Sequence, residues 1–133
     1  MPEHRHTIAV IDDDGEIIEA MKRLLTMCGY DVEAYQSTDD FMQAARTTRA
    51  KCLIVDCHIA LHSGIEMIRR LSTDGLTYPT IFLTGSTDEN LRKQAIELNC
   101  VAFLRKPAAT AQLLDAISDA IGRAESSGVK PAG

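Results

Sequence analysis

Strand-like and helix-like patterns alternate five times along this chain of 133 residues, and few folds accommodate that order. Four apolar runs, TIAVI, CLIV, TIFL and AFLR, read as strands, and CLIV is continuous as in a strand covered on both faces. DVEAY alternates polar and apolar residues as an edge strand does. The first helical stretch spans roughly residues 15–28, with Ile17, Met21, Leu24, Leu25 and Cys28 on one face and Gly29 as a left-handed stop. Ser37 or Thr38 caps a short second helix that buries Phe41 and Ala45. A third helix follows Gly64 and uses Ile65, Ile68 and Leu71. Thr87 or Asp88 starts a fourth that reaches about Leu98, and Val101 to Leu104 forms the fifth strand. The last helix is expected from about Ala109 to Ala124, with Leu113, Leu114, Ile117 and Ile121 as its stripe. Such alternation predicts a doubly wound α/β architecture, because right-handed crossovers place helices on both faces of a parallel sheet.

In an open parallel sheet the carboxyl ends of the strands line one edge, where ligands bind. The residues that follow the apolar runs are therefore the informative ones. TIAVI runs into Asp12-Asp13, CLIV into Asp56, TIFL into Thr84, and AFLR into Lys106-Pro107. Three carboxylates, a hydroxyl and an ammonium would converge there. Asp12, Asp13 and Asp56 supply the hard oxygen environment that Mg²⁺ prefers. Lys106 adds a point cation for phosphate, and the Thr84 hydroxyl can donate to a phosphate oxygen. This set points to Mg²⁺-assisted transfer of a phosphoryl group onto an aspartate.

Charge and composition narrow the alternatives. A net charge of −5 argues against a broad basic surface for nucleic acid. No apolar stretch approaches the roughly 18–20 residues that span a bilayer, so no membrane segment is expected. MPEHRHT lacks the apolar core of an export signal. Cys28, Cys52, Cys57 and Cys100 show no C-x-x-C spacing, which fits reduced thiols and a cytoplasmic location. One domain is expected over residues 1–124, with residues 125–133 as a flexible tail or a linker to an absent output domain.

With VIDDD, LIVD, the downstream Gly64, LTG and AFLRKP in this order, the chain resembles the receiver domain of bacterial response regulators over residues 7–122. LLTMCGY and YPTIFLTG are similar to FixJ-like receivers, although a stand-alone receiver fits equally. The resemblance implies a flavodoxin-like (βα)5 sheet of order 2-1-3-4-5. It implies a two-component or phosphorelay role, with Asp56 phosphorylated by a histidine kinase or a histidine phosphotransfer protein. Asp13 and Asp56 would ligate Mg²⁺ directly, Asp12 through water, and the His58 carbonyl would be a further ligand. Lys106 would pair with the phosphate, and the Lys106-Pro107 bond would be cis. Thr84 would shift on phosphorylation and Phe103 would turn inward, altering a face that binds a downstream protein or a second copy of the chain. His58 and Ser86 would flank the path of the attacking water and tune the lifetime of the acyl phosphate. The protein would hydrolyse its own aspartyl phosphate without being a dedicated enzyme. Ala60, Ser63 and Ala108 depart from the proline, aspartate and bulky apolar residue common in the family.

Competing readings make different demands. A pseudo-receiver would keep the fold as a protein-binding module without phosphate, yet every group of the phosphoacceptor set is present. An aspartyl-phosphate phosphatase would normally show D-x-D at its first strand, where this chain has VIDDDG and no second aspartate two positions after Asp56. The G-x-G-x-x-G that a dinucleotide enzyme would carry after that strand is missing. Cys57, His58 and His62 carry metal-binding side chains, but adjacent strand residues face opposite sides, so zinc is not expected. Asp14 reads equally well as a helix cap.

Overall fold

The computed structural model describes residues 5–59 and 62–128, with side chains through Glu125. Strands β1 (Thr7–Ile11), β2 (Asp31–Tyr35), β3 (Ala50–Asp56), β4 (Thr80–Thr84) and β5 (Ala102–Arg105) alternate with helices α1 (Gly15–Met27), α2 (Thr38–Ala44), α3 (Gly64–Thr73), α4 (Glu89–Glu97) and α5 (Thr110–Gly128). The five strands form one parallel sheet in the order β2-β1-β3-β4-β5. This is the flavodoxin-like order that the resemblance implied. A two-residue antiparallel ladder, His58–Ile59 with His62–Ser63, lies between β3 and α3. Ala60 lies outside the described residues.

Side-chain alternation along the strands builds two cores. On one side Leu53, Val55 and Phe82 pack with Phe41, Ile65 and Leu71, beneath α2, α3 and α4. On the other, Cys52, Ile54 and Ile81 pack with Ile18, Leu25 and Ile117, beneath α1 and α5. Burial on both faces is why the central runs are apolar without interruption. Each fully buried isoleucine or leucine contributes about 1.5–3 kcal/mol.

Helix ends follow local chemistry. Asp14 accepts from the Glu16 and Ile17 amides, Ser37 from Asp40, Ser63 from Glu66 and Asp88 from Asn90. Asp14 is thus a cap, and Ser63 caps α3 through its hydroxyl. Gly29, at φ +94°, reverses the chain after α1.

Two expectations need correction. Ile18, rather than Ile17, joins Leu25 in the core; Ile17, Met21 and Leu24 are half-buried, and Cys28 is exposed. Cys28 is the C-cap of α1, beyond the last regular turn, so it does not extend the stripe. The last helix also continues past Ala124 to Gly128. Beside the half-buried Ala108 lies an open apolar groove of about 470 Å³, lined by Ile17, Met21, Leu24, Pro107 and Leu113.

Candidate functional site

Because all five strands run the same way, their carboxyl ends meet at one edge, and the side chains predicted there do converge. Asp12, Asp13 and Asp56 bring carboxylate oxygens within 4.8 Å of one another. Asp12 is 2% exposed and Asp56 8%, while Asp13 faces solvent. The Lys106 ammonium lies 3.0 Å from Asp56 Oδ2 and 3.3 Å from Asp12 Oδ2. Its backbone is anchored by the Lys106 amide donating to the Thr84 carbonyl at 2.8 Å, and the Lys106-Pro107 peptide is cis.

Backbone amides orient the carboxylates. The Asp14 amide donates to Asp12 Oδ1 at 2.9 Å, and the His58 amide to Asp56 Oδ1 at 3.1 Å. Each buried carboxylate therefore has one oxygen held by the main chain and the other turned to Lys106. Burial, reinforced by the neighbouring Asp56, raises the Asp12 carboxyl above its ordinary value, against the lowering pull of the Asp14 amide and Lys106. Burial lowers Lys106, but hydrogen bonding and charge attraction to Asp56 and Asp12 outweigh it and leave the ammonium raised. Lys106 is thus firmly cationic, and it offsets part of the negative charge packed around it.

The Thr84 hydroxyl is fully buried and accepts from the Ser86 amide at 3.0 Å. Ser86 Oγ in turn accepts from the Asp88 amide at 3.0 Å, which ties it into the turn entering α4. Phe103 on β5 is in register with Phe82 and packs, partly buried, on the α3–α4 side of the sheet. The His58 side chain is exposed, and its residue pairs with Ser63 in the short ladder. The three aspartates are the metal-competent group among the described residues. They have the hard-oxygen chemistry that suits Mg²⁺. Cys57 is buried while His58 and His62 are exposed, so no zinc set forms from these three.

Two features were beyond sequence reasoning. Gly64 was legible as a motif letter but not as a packing requirement. A Cβ on it would stand 2.1 Å from the Asp56 carbonyl oxygen and 2.6 Å from Val55 Cγ1. Cys57, directly after Asp56, is fully buried and stands level with Thr84, which only the pairing of β3 with β4 reveals.

Comparison with known proteins agrees with this fold. A family profile described as response regulator receiver domain matches residues 8–118. The response regulator protein TodT of Pseudomonas putida is 31% identical over 121 residues, covering 91% of this chain and 53% of TodT. The transcriptional regulatory protein FixJ of Rhizobium meliloti is 29% identical over 115 residues, covering 86% of this chain and 56% of FixJ. The crystal structure of FixJ-N superimposes with a TM-score of 0.82 at 28% identity, covering 90% of this chain and 95% of that one. The chain belongs to the response regulator receiver domain family. It spans about half the length of the curated relatives it matches.

Proposed function

We propose that the chain is the phosphoacceptor of a two-component or phosphorelay pathway and that Asp56 is the residue modified. The observation that carries this reading is the contact of Lys106 with both Asp56 and Asp12, beside a third carboxylate, at the carboxyl edge of the sheet. Asp56 ends the central strand with one oxygen turned toward the cation. In the transfer, that carboxylate oxygen forms a bond to phosphorus as the bond between phosphorus and the donor imidazole nitrogen breaks. The nitrogen keeps the electron pair.

Asp12, Asp13 and Asp56 would hold Mg²⁺, with the His58 carbonyl as a further ligand. When bound, the ion supplies neutralisation of the charge on the transferring group. Lys106 follows the phosphoryl oxygens as a point cation. The Thr84 hydroxyl donates to one of them and leaves its resting position, and Phe103 moves into the space vacated. The α4–β5–α5 face changes and binds a downstream protein, an output domain or a second copy of the chain. The donor is a histidine kinase or a histidine phosphotransfer protein, and His58 and Ser86 adjust how long the acyl phosphate lasts. The acidic balance of the chain supports a protein target rather than direct nucleic-acid contact.

Intact mass after incubation with acetyl phosphate and Mg²⁺ tests this reading. Wild type should gain one phosphoryl group and Asp56→Asn none. Equal labelling of the two would remove Asp56, and absence of labelling in both would favour a receiver fold that signals without phosphate.

A further inference from the structure

The amino edge of the sheet, opposite Asp56, carries a cavity of about 650 Å³ between the starts of β1, β2 and β3 and the end of α5. Thr7, Asp31 and Ala50 stand level there, each at the first position of its strand. Two carboxylates line the cavity and both are engaged. Arg5 holds Asp31 at 2.9 Å, and the His6 ring faces Glu125 at 3.2 Å. Arg49 and Lys51 line it as well. Both are exposed, and neither has a hydrogen bond or an ion pair among the described residues. In a chain of net charge −5 they place uncompensated positive charge in a concave surface.

Lys51 owes its position to the backbone. Thr7 pairs with Ala50 while the next residue, Ile8, pairs with Cys52, so Lys51 is the extra residue of a bulge in the central strand. A bulge leaves its extra residue unpaired and re-aims the side chain. Every other residue of β3 is buried, whereas Lys51 is turned out. It borders a second cavity too, of about 620 Å³, whose rim includes Tyr78, Glu97 and Arg123. The two hollows meet at Lys51 and make one groove.

We propose that this groove docks an extended acidic segment of a partner protein that carries carboxylates at alternate positions. Arg49 and Lys51 lie two residues apart, about 6–7 Å along extended backbone. Alternate residues of an extended partner put their side chains on one face at that same spacing. Asp31, Glu97 and Glu125 repel an unbroken run of negative charge, so a nucleic-acid backbone fits poorly. A peptide with neutral residues between its carboxylates escapes that repulsion. Two hollows joined at one lysine also suit a segment better than a compact anion. Because the groove lies at the opposite edge from Asp56, docking there does not depend on phosphorylation.

The test follows amide shifts of the full chain at low ionic strength. The probes are a peptide with glutamates at alternate positions, its glutamine counterpart, a peptide of equal charge with adjacent glutamates, and inorganic phosphate. We expect the alternating peptide to shift residues 5–7 and 49–51. Its affinity should fall about two- to fivefold with Arg49→Gln or Lys51→Gln, the range of one exposed ion pair. Lys51→Arg should retain binding, and added salt should weaken it. Both side chains are exposed, so the variants should melt as wild type does; if Lys51→Gln does not fold, Arg49→Gln decides. Equal affinity for the glutamine peptide, or undiminished binding by the doubly substituted chain, would overturn the proposal. So would equal binding of the adjacent-glutamate peptide, which would reduce the groove to unspecific charge. Phosphate that reproduced the shifts with the same affinity would also overturn it, by making the groove a site for compact anions.

Discussion

Gly64 lies so close to Asp56 that a Cβ on it would stand 2.1 Å from the Asp56 carbonyl oxygen, at the residue whose amide also holds the Cys57 carbonyl. The first turn of α3 is thereby pressed against the end of β3, and the backbone under Asp56 is set by a residue that has no side chain. Gly64→Ala must displace main-chain atoms, because the obstruction is backbone rather than a flexible side chain. Overpacking of this kind typically costs about 1–3 kcal/mol. Urea denaturation should show a loss of at least that size, and phosphorylation by acetyl phosphate should slow further than the lost stability explains. An unchanged unfolding midpoint would show that α3 moves aside freely.

The pH dependence of stability tests the charge arrangement around Asp12. Its folded carboxyl is raised above the ordinary value, so the native state binds this proton more tightly than the unfolded chain does. Stability from this group therefore falls as pH rises through the carboxylate range and levels off once Asp12 is ionised in both states. Lys106 has the other dependence. Its contribution is fully present below its ordinary value near 10.5 and is lost only as pH climbs through the raised folded value. In metal-free buffer, Asp12→Asn should melt higher than wild type at neutral pH, and the advantage should shrink on acidification. Parallel melting curves for the two proteins from acid to neutral pH would contradict the burial of a charged Asp12.

How much of this was readable beforehand depends on how local the determinant is. Asp12, Asp13, Asp56, Thr84 and Lys106 each end a strand pattern, and parallel topology brings such ends together without further information. The strand order needed the family resemblance. Adjacent Ile17 and Ile18 both satisfy helical spacing, and only packing against Ile54, Leu25 and the α5 residues selects Ile18. The end of α5 was hidden because Glu125 and the serines after it read as polar tail. In the fold, Glu125 pairs with His6 at 3.2 Å, holding that part of the helix against the start of β1. That Cys57 lies level with Thr84 depends on β3–β4 register, which no single segment encodes.

Divalent metal should stabilise the protein. A cation that binds only the native carboxylate cluster raises stability by about 2.7 kcal/mol at a hundredfold excess over its Kd. For a domain of this size each kcal/mol corresponds to roughly 2–8 °C in Tm. Differential scanning fluorimetry with millimolar MgCl₂ against EDTA should therefore show an upward shift of several degrees. Asp13→Asn should abolish most of it, since Asp13 is the solvent-facing member of the three and removing it leaves the buried pair intact. A Tm that ignores Mg²⁺ in wild type, or a shift retained in full by Asp13→Asn, would contradict the proposed metal ligands.

The lifetime of the acyl phosphate should respond more to His58 than to Ser86. The His58 amide is pinned to Asp56 Oδ1, so its backbone cannot retreat from Asp56, while its side chain is exposed. Ser86 Oγ is engaged by the Asp88 amide and faces the turn into α4. Removing the imidazole opens the approach for water, and we expect His58→Ala to hydrolyse about threefold faster, on the order of 0.7 kcal/mol of barrier. Ser86→Ala should change the rate by less than about a factor of two, a barrier change of roughly 0.4 kcal/mol or less. Its main effect should be a lowered Tm from the lost contact at the start of α4. Both rates follow from the decay of phosphorylated protein after donor removal, read by intact mass at constant Mg²⁺. Decay of His58→Ala at the wild-type rate would take the imidazole out of the water path and leave His58 acting through its backbone alone.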